Sequence, residues 1–196
     1  MIRDDVTVYF IRHGQTDWNA ARRYQGQRDI PLNDLGRAQA RRNGVALLAL
    51  GATLAGAEYV SSPLGRARET MEIMRAAMGL APSGYRVDEA IKEIHYGHWE
   101  GLLAEDMPRL DPEGLAARRR DPYSWRPDGG ESYADLALRI GRWLGTVEGN
   151  SVVTSHGGVM RTLQGLVTGL SPAEILSIDA PQDRIMVLRR GTVDWI

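Results

Sequence analysis

The short apolar run VTVYFI (6–11) stops abruptly at Arg12, His13 and Gly14. Charged side chains are almost never fully buried unless something pairs with them. An arginine beside a histidine at the end of a buried strand is therefore either a frayed edge or a place for an anion. Two more polar corners follow apolar runs in the same way. Ser61, Ser62 and Pro63, with Arg66, come after EYV, and Ser155, His156 and Gly157 come after SVVT. If these corners converge, the chemistry they suit is phosphoryl transfer. His13 would attack phosphorus through a neutral ring nitrogen, its other nitrogen donating to a backbone carbonyl that fixes the tautomer. Arg12 and Arg66 would hold the equatorial oxygens, where negative charge spreads in the transition state. His156, protonated or donating, would add a third contact. A departing alkoxide needs a proton, and Glu93 in IKEIHYGHWEG could supply it. A partly desolvated carboxyl beside a phosphate dianion keeps its proton near neutral pH. The same glutamate would then activate the water that cleaves the phosphohistidine. Two guanidinium groups stand in for a metal as charge neutralisers, so no cofactor is expected.

Each element also has a plain reading. Arg-His-Gly should arise by chance in about one chain per hundred of this length, so alone it says little. Arg66 could be a solvated first-turn arginine and His156 a helix-start residue. Glu93 has rivals in Glu89 and Glu100. Arg118, Arg119 and Arg120 read as a solvated face. Trp18, Tyr24, Tyr96 and Trp99 suit either a substrate pocket or the core. The joint pattern carries the weight.

The elements needed to position these residues can be read from periodicity. VTVYFI, EYVSS (58–62) and SVVTS (151–155) are short, β-rich runs of strand character. Asn33 is a fair N-cap for a helix over about 34–50, whose apolar face is read as Leu35, Ala38, Val45 and Leu48. Pro63 opens a helix where its missing N–H costs nothing. ESYADLALRIGRWLGTV places Leu136, Ile140, Trp143, Leu144 and Val147 on one side of another helix. A further helix follows His156, Gly157 and Gly158 and runs to about 169, and the chain closes with a hairpin turning near Gly191. Between 100 and 130, four prolines break the chain into short helices and loops, read as a flap on one domain spanning 1–196. Strands alternating with helices indicate an α/β class, in which ligands bind beyond the carboxyl ends of the strands.

Composition narrows the classes. The 196 residues carry a net charge of −1, with 43% hydrophobic and 25% charged residues, ordinary for a globular protein. That balance argues against a nucleic-acid binder working by bulk attraction. There are no cysteines, which excludes disulfides, thiolate metal sites and cysteine nucleophiles. The start, MIRDDVTVYF, lacks the basic patch and apolar core of a signal peptide, and no run reaches the roughly 18 apolar residues of a membrane span. A cytoplasmic location is expected.

Taken together, RHGQTDWN, YQGQRDIPLNDLGRAQA, SSPLGRARET, EIHYGHWEG, GGES and TSHGGVMR resemble the histidine phosphatase superfamily, in its phosphoglycerate-mutase-like branch. The resemblance implies a three-layer α/β/α sandwich with a mostly parallel sheet and a phosphohistidine intermediate. It puts the nucleophile on His13, the phosphate pocket on Arg12, Arg66 and His156, and the proton donor on Glu93. It adds Asn19, Gln25, Gly26 and the Gly157 backbone as phosphate or substrate contacts. Asn33 stands where the family usually has threonine or serine, an exchange of caps.

Cofactor-dependent mutases of this type tend to carry AHGNSLR and ERHYG where this chain has SHGGVMR and EIHYG. That difference favours a phosphatase of small phosphomonoesters, with a phosphoglycerate mutase as the alternative. The expected partner is a small phosphorylated metabolite, neither nucleic acid nor membrane. The 100–130 flap, with its arginines, Met107, Leu110, Tyr123 and Trp125, is expected to select the leaving group. The hairpin edge near Gly191 leaves a homodimer open.

Overall fold

A computed structural model describes residues 2–196. Six strands among them form one sheet: β1 (Val8–Arg12), β2 (Glu58–Ser61), β3 (Arg86–Val87), β4 (Ser151–Ser155), β5 (Ile185–Arg189) and β6 (Thr192–Trp195). Their order across the sheet is β3-β2-β4-β1-β5-β6. The first four strands in that order run parallel, and β5 and β6 return antiparallel as the terminal hairpin. Because β2, β4 and β1 are parallel neighbours, their carboxyl ends share one rim, and the three polar corners meet there.

Among the described residues eight α-helices connect and cover the strands: α1 (Asp17–Ala20), α2 (Asp34–Leu48), α3 (Gly65–Ala77), α4 (Met107–Leu110), α5 (Pro112–Arg120), α6 (Tyr133–Leu144), α7 (Gly157–Thr168) and α8 (Pro172–Ser177). Alternation along the strands splits the core in two. Val8, Phe10, Val60, Val153, Met186 and Leu188 face α6 and α7 through Leu136, Ile140, Trp143, Met160 and Leu163. Tyr9, Ile11, Val152, Ile185 and Val187 face the other side, where Leu47 of α2 and Met74 of α3 meet them. This is a three-layer α/β/α sandwich with a mostly parallel central sheet. Among the described residues no helix is long and apolar enough to cross a membrane.

Local signals hold at several ends. Asn33 accepts from the Gly36 amide at 2.9 Å and caps α2. Ser132 and Asp135 form a reciprocal capping box at the start of α6. Two expectations about α2 and α3 need correction. The α2 face assigned to the core is the outer one: Leu35, Val45 and Leu48 are 53%, 58% and 53% exposed, and Ala38 is exposed too. The buried face is Gly36, Ala40, Asn43, Gly44 and Leu47. Small residues win because α2 lies almost against α3; a Cβ on Gly44 would come within 2.6 Å of the Met74 carbonyl oxygen. Pro63 does not open α3 either. Leu64 is extended (φ −67°, ψ 135°), so the first helical residue is Gly65, whose amide donates to Asp29 Oδ2 at 3.0 Å.

The 100–130 segment is a run of short helices and turns around an aromatic cluster. Trp99 is fully buried, stacks 4.5 Å from Trp125, and its indole N–H donates to Asp111 Oδ2 at 2.7 Å. Arg118 is not solvated as read from the sequence. It is half-buried, lies over the Tyr24 and Trp99 rings, and donates to the Tyr24 hydroxyl at 2.7 Å. Arg119 and Arg120 are exposed.

Candidate active site

At the shared rim, His13 leaves β1 with its amide donating to the Ser155 carbonyl, 2.9 Å away on β4. Its ring is buried. Nδ1 lies 2.7 Å from the Gly14 carbonyl oxygen. A carbonyl can only accept, so Nδ1 carries the proton. Nε2 receives a hydrogen bond from Arg66 Nε at 3.1 Å. A guanidinium can only donate, so Nε2 presents its lone pair. Burial, reinforced by the charges of Arg66 and Arg12, holds this imidazole well below its ordinary pKa despite the bond to Gly14. The ring is neutral at physiological pH.

Arg66 rises from the first turn of α3 and is itself buried. Nη1 donates to the Arg28 carbonyl and Nη2 to the Gly26 carbonyl, each at 2.6 Å. Burial, opposed by Glu93 and Asp29, lowers its pKa to about 10, so it stays charged. Gln25 is best satisfied with its amide oxygen accepting from Arg66 Nε and Nη1 at 3.0 and 3.1 Å. The 25–28 turn that holds Arg66 requires Gly26, which sits at φ +52° and where a Cβ would collide with the Glu100 carboxylate. Arg12 donates to the Ala180 carbonyl at 2.5 Å, while its Nε is buried without a protein partner among the described residues. Burial lowers its pKa as well.

His156 is fully buried behind His13, the ring centroids 5.2 Å apart and crossed at 61°. Nε2 is 2.7 Å from the Ser62 hydroxyl, and Nδ1 has no protein partner among the described residues. Burial and the Arg66 charge push its pKa well down. Of the two states considered for it, the neutral ring is the one this environment keeps. Glu93 lines the same pocket as His13, its carboxylate accepting from the Gly158 amide (3.1 and 3.2 Å) and from the Ile94 amide (3.0 Å). Gly158 is obligatory in that contact, because a Cβ there would lie 2.5 Å from Glu93 Oε1. The rivals are elsewhere. Glu89 pairs with Lys92 at the surface, and Glu100 accepts from the Gln27 and Tyr96 amides to brace the 25–28 turn.

These groups open into one pocket of about 210 Å³, lined by Arg12, His13, Asn19, Gln25, Gly26, Arg66, Glu93 and Gly157, all anticipated from the sequence. His156 does not reach its wall. Tyr24 and Tyr96 do, whereas Trp18 and Trp99 do not. Four lining residues escaped the sequence reading: Arg22, Arg23, Gly158 and Arg161. Arg161 could have been found, since it lies one helical turn beyond Gly157 and so projects on the same face. Two supports had no local signal. Thr70 Oγ1 accepts from the Gly14 amide (3.1 Å) and donates to the Arg66 carbonyl (2.7 Å). Gln182 Nε2 donates to both the His13 carbonyl (3.0 Å) and Asn19 Oδ1 (3.1 Å).

The pattern of the histidine phosphatase superfamily (branch 1) matches residues 8–195. A 2,3-bisphosphoglycerate-dependent phosphoglycerate mutase 2 from Gloeobacter violaceus is 32% identical over 88% of this chain and 80% of its own length. A glucosyl-3-phosphoglycerate phosphatase from Mycobacterium tuberculosis is 35% identical over 85% of this chain and 77% of its own. The solved structure of a mycobacterial glucosyl-3-phosphoglycerate phosphatase in complex with VO3 superposes with a TM-score of 0.76 at 30% identity, covering 97% of this chain and 96% of the other. The chain belongs to the histidine phosphatase superfamily, and it is a phosphatase enzyme of that kind.

Proposed function

We propose that the protein hydrolyses small phosphomonoesters through a phosphohistidine on His13, without a metal. The observation that carries this reading is the fixed tautomer of His13: a neutral ring with its Nε2 lone pair facing a pocket walled by guanidinium groups. In the resting protein that lone pair accepts the Arg66 Nε–H. An incoming phosphoryl oxygen takes over this donor, which frees Nε2 to attack phosphorus as the ester P–O bond breaks. Arg12 and Arg66 neutralise the developing charge. Glu93 gives its proton to the leaving alkoxide, then takes one from water. The resulting hydroxide attacks phosphorus and the P–N bond breaks, returning its electron pair to Nε2. The sum is ester plus water to alcohol plus phosphate. Asn19, Gln25, Gly26 and the Gly157 backbone contact the phosphoryl group or its ester, and His156 packs edge-on against the His13 ring, the centroids 5.2 Å apart.

Labelling tests the intermediate. The protein mixed with a ³²P-monoester and quenched in alkali should retain an acid-labile, base-stable label, and His13→Ala should lose it together with phosphate release. A label that persists in His13→Ala refutes the assignment. The mutase alternative is separated by supplying 3-phosphoglycerate with a trace of bisphosphoglycerate. Isomerisation faster than phosphate release would replace hydrolysis as the main activity.

A further inference from the structure

Five guanidinium groups line the pocket against one carboxylate, that of Glu93. A phosphomonoester dianion neutralises only part of this excess. Four of the five are tied to the protein. Arg12 and Arg161 donate to the Ala180 and Ile178 carbonyls at 2.5 and 2.6 Å. Arg66 holds Gly26, Arg28 and His13. Arg23 donates to the Gly101 carbonyl and lies over the Trp18 ring. Arg22 differs: among the described residues its side chain makes no hydrogen bond and no ion pair, and it lines the pocket while remaining exposed.

Its backbone is unusual as well. At φ 53°, Arg22 is the only non-glycine with positive φ among the described residues. A β-carbon is disfavoured there, and such residues persist only where their surroundings impose the conformation. Here they do. The Arg22 amide donates to the Asn19 carbonyl at 3.1 Å, and the Arg22 carbonyl accepts from the Ala104 amide at 3.3 Å. The next two residues are clasped by backbone hydrogen bonds: the Arg23 amide donates to the Trp18 carbonyl, the Tyr24 amide to the Leu102 carbonyl, and the Gly101 amide to the Tyr24 carbonyl. Glycine would satisfy this turn without strain, yet an arginine occupies it.

We infer that Arg22 is a specificity-determining residue that binds a second anionic group, a carboxylate or phosphate, on the leaving-group side of the substrate. This rests on the phosphatase reading and refines its substrate class. The flap acts on the substrate through this turn, because its own Met107, Leu110, Tyr123 and Trp125 do not line the pocket. Ala104 and Leu102 instead hold the backbone from which Arg22 projects.

Two esters with the same three-carbon skeleton test it: 3-phosphoglycerate, which carries a carboxylate, and glycerol 3-phosphate, which does not. Phosphate release is measured for the wild type, Arg22→Gly, Arg22→Asn and Arg22→Lys. The wild type should favour the carboxylate ester in kcat/KM by about 10- to 100-fold, the range of one charge-assisted hydrogen bond. Arg22→Gly and Arg22→Asn, both at ease at positive φ, should lose that preference through KM, with kcat/KM for glycerol 3-phosphate falling no more than a few-fold from the loss of one pocket charge. Arg22→Lys should recover part of it. A preference absent in the wild type, retained in Arg22→Gly, or lost equally on both esters overturns the assignment of Arg22 alone. Failure of the wild type to release phosphate from either ester would instead overturn the phosphatase reading and the Arg22 assignment with it.

Discussion

Replacing Gly158 by alanine separates the placement of Glu93 from its presence. The new Cβ would sit 2.5 Å from Glu93 Oε1 and 3.3 Å from Ile94 Cγ2, where ordinary contacts begin at 3.4 Å. The carboxylate must therefore withdraw by the difference between 3.4 and 2.5 Å, about 0.9 Å. It cannot pivot freely, because the Gly158 and Ile94 amides both hold it. A displacement near 1 Å costs a positioned catalytic group about 100-fold, or about 2.7 kcal/mol of transition-state stabilisation. The loss should depend on the leaving group. An alkyl phosphate needs the proton as its alkoxide departs, whereas p-nitrophenolate leaves without one. Single-turnover phosphorylation of His13 should thus fall about 100-fold for glycerol 3-phosphate in Gly158→Ala and only a few-fold for p-nitrophenyl phosphate, with Glu93→Gln as the reference. Equal losses on the two esters would show that the substitution damages the cradle and that the proposed proton donor is misassigned.

Other outcomes follow from the same geometry. His13 and His156 are held neutral in the fold, well below the ordinary histidine value near 6.5. Unfolding below that pH takes up two protons, so the unfolded state gains as pH falls through about 6.5. Between pH 7.5 and 5.5 the native state should lose stability, by at most about 3 kcal/mol for two histidines, and His156→Asn should lessen the drop; urea titrations at the two pH values check this, and a flat profile contradicts it. Arg66→Lys should lower kcat/KM by about 10²- to 10³-fold despite keeping the charge. One ammonium cannot reach Gly26, Arg28 and His13 together, and steady-state kinetics with an intact circular-dichroism spectrum would show it.

Much of the sheet was legible because β1, β2 and β4 are short apolar runs that end in residues too polar to bury unaided. Their convergence needed only the parallel order that helical crossovers impose. The α2 face was not legible, since amphipathic logic looks for leucines while tight packing against α3 selects Gly44 and Ala40. Strand β3 went unread because its two residues, Arg86 and Val87, are exposed and too few to show an apolar period. Thr70 and Gln182 act over separations of 56 and 169 residues, and no local pattern announces such contacts. Arg118 looked like one charge in a run of three; only the aromatic cluster beneath it distinguishes it from its neighbours.

The cradle is anchored before any ester arrives: Arg12 and Arg66 are fastened to the main-chain carbonyls of Ala180, Gly26 and Arg28. If Arg12 and Arg66 hold the phosphoryl oxygens as proposed, a receptor that needs no closure to form should grip orthophosphate as readily as the phosphoryl end of its substrate. Turnover should then slow as the surrounding orthophosphate rises, tying the enzyme's throughput to the phosphate status of its compartment through mass action alone.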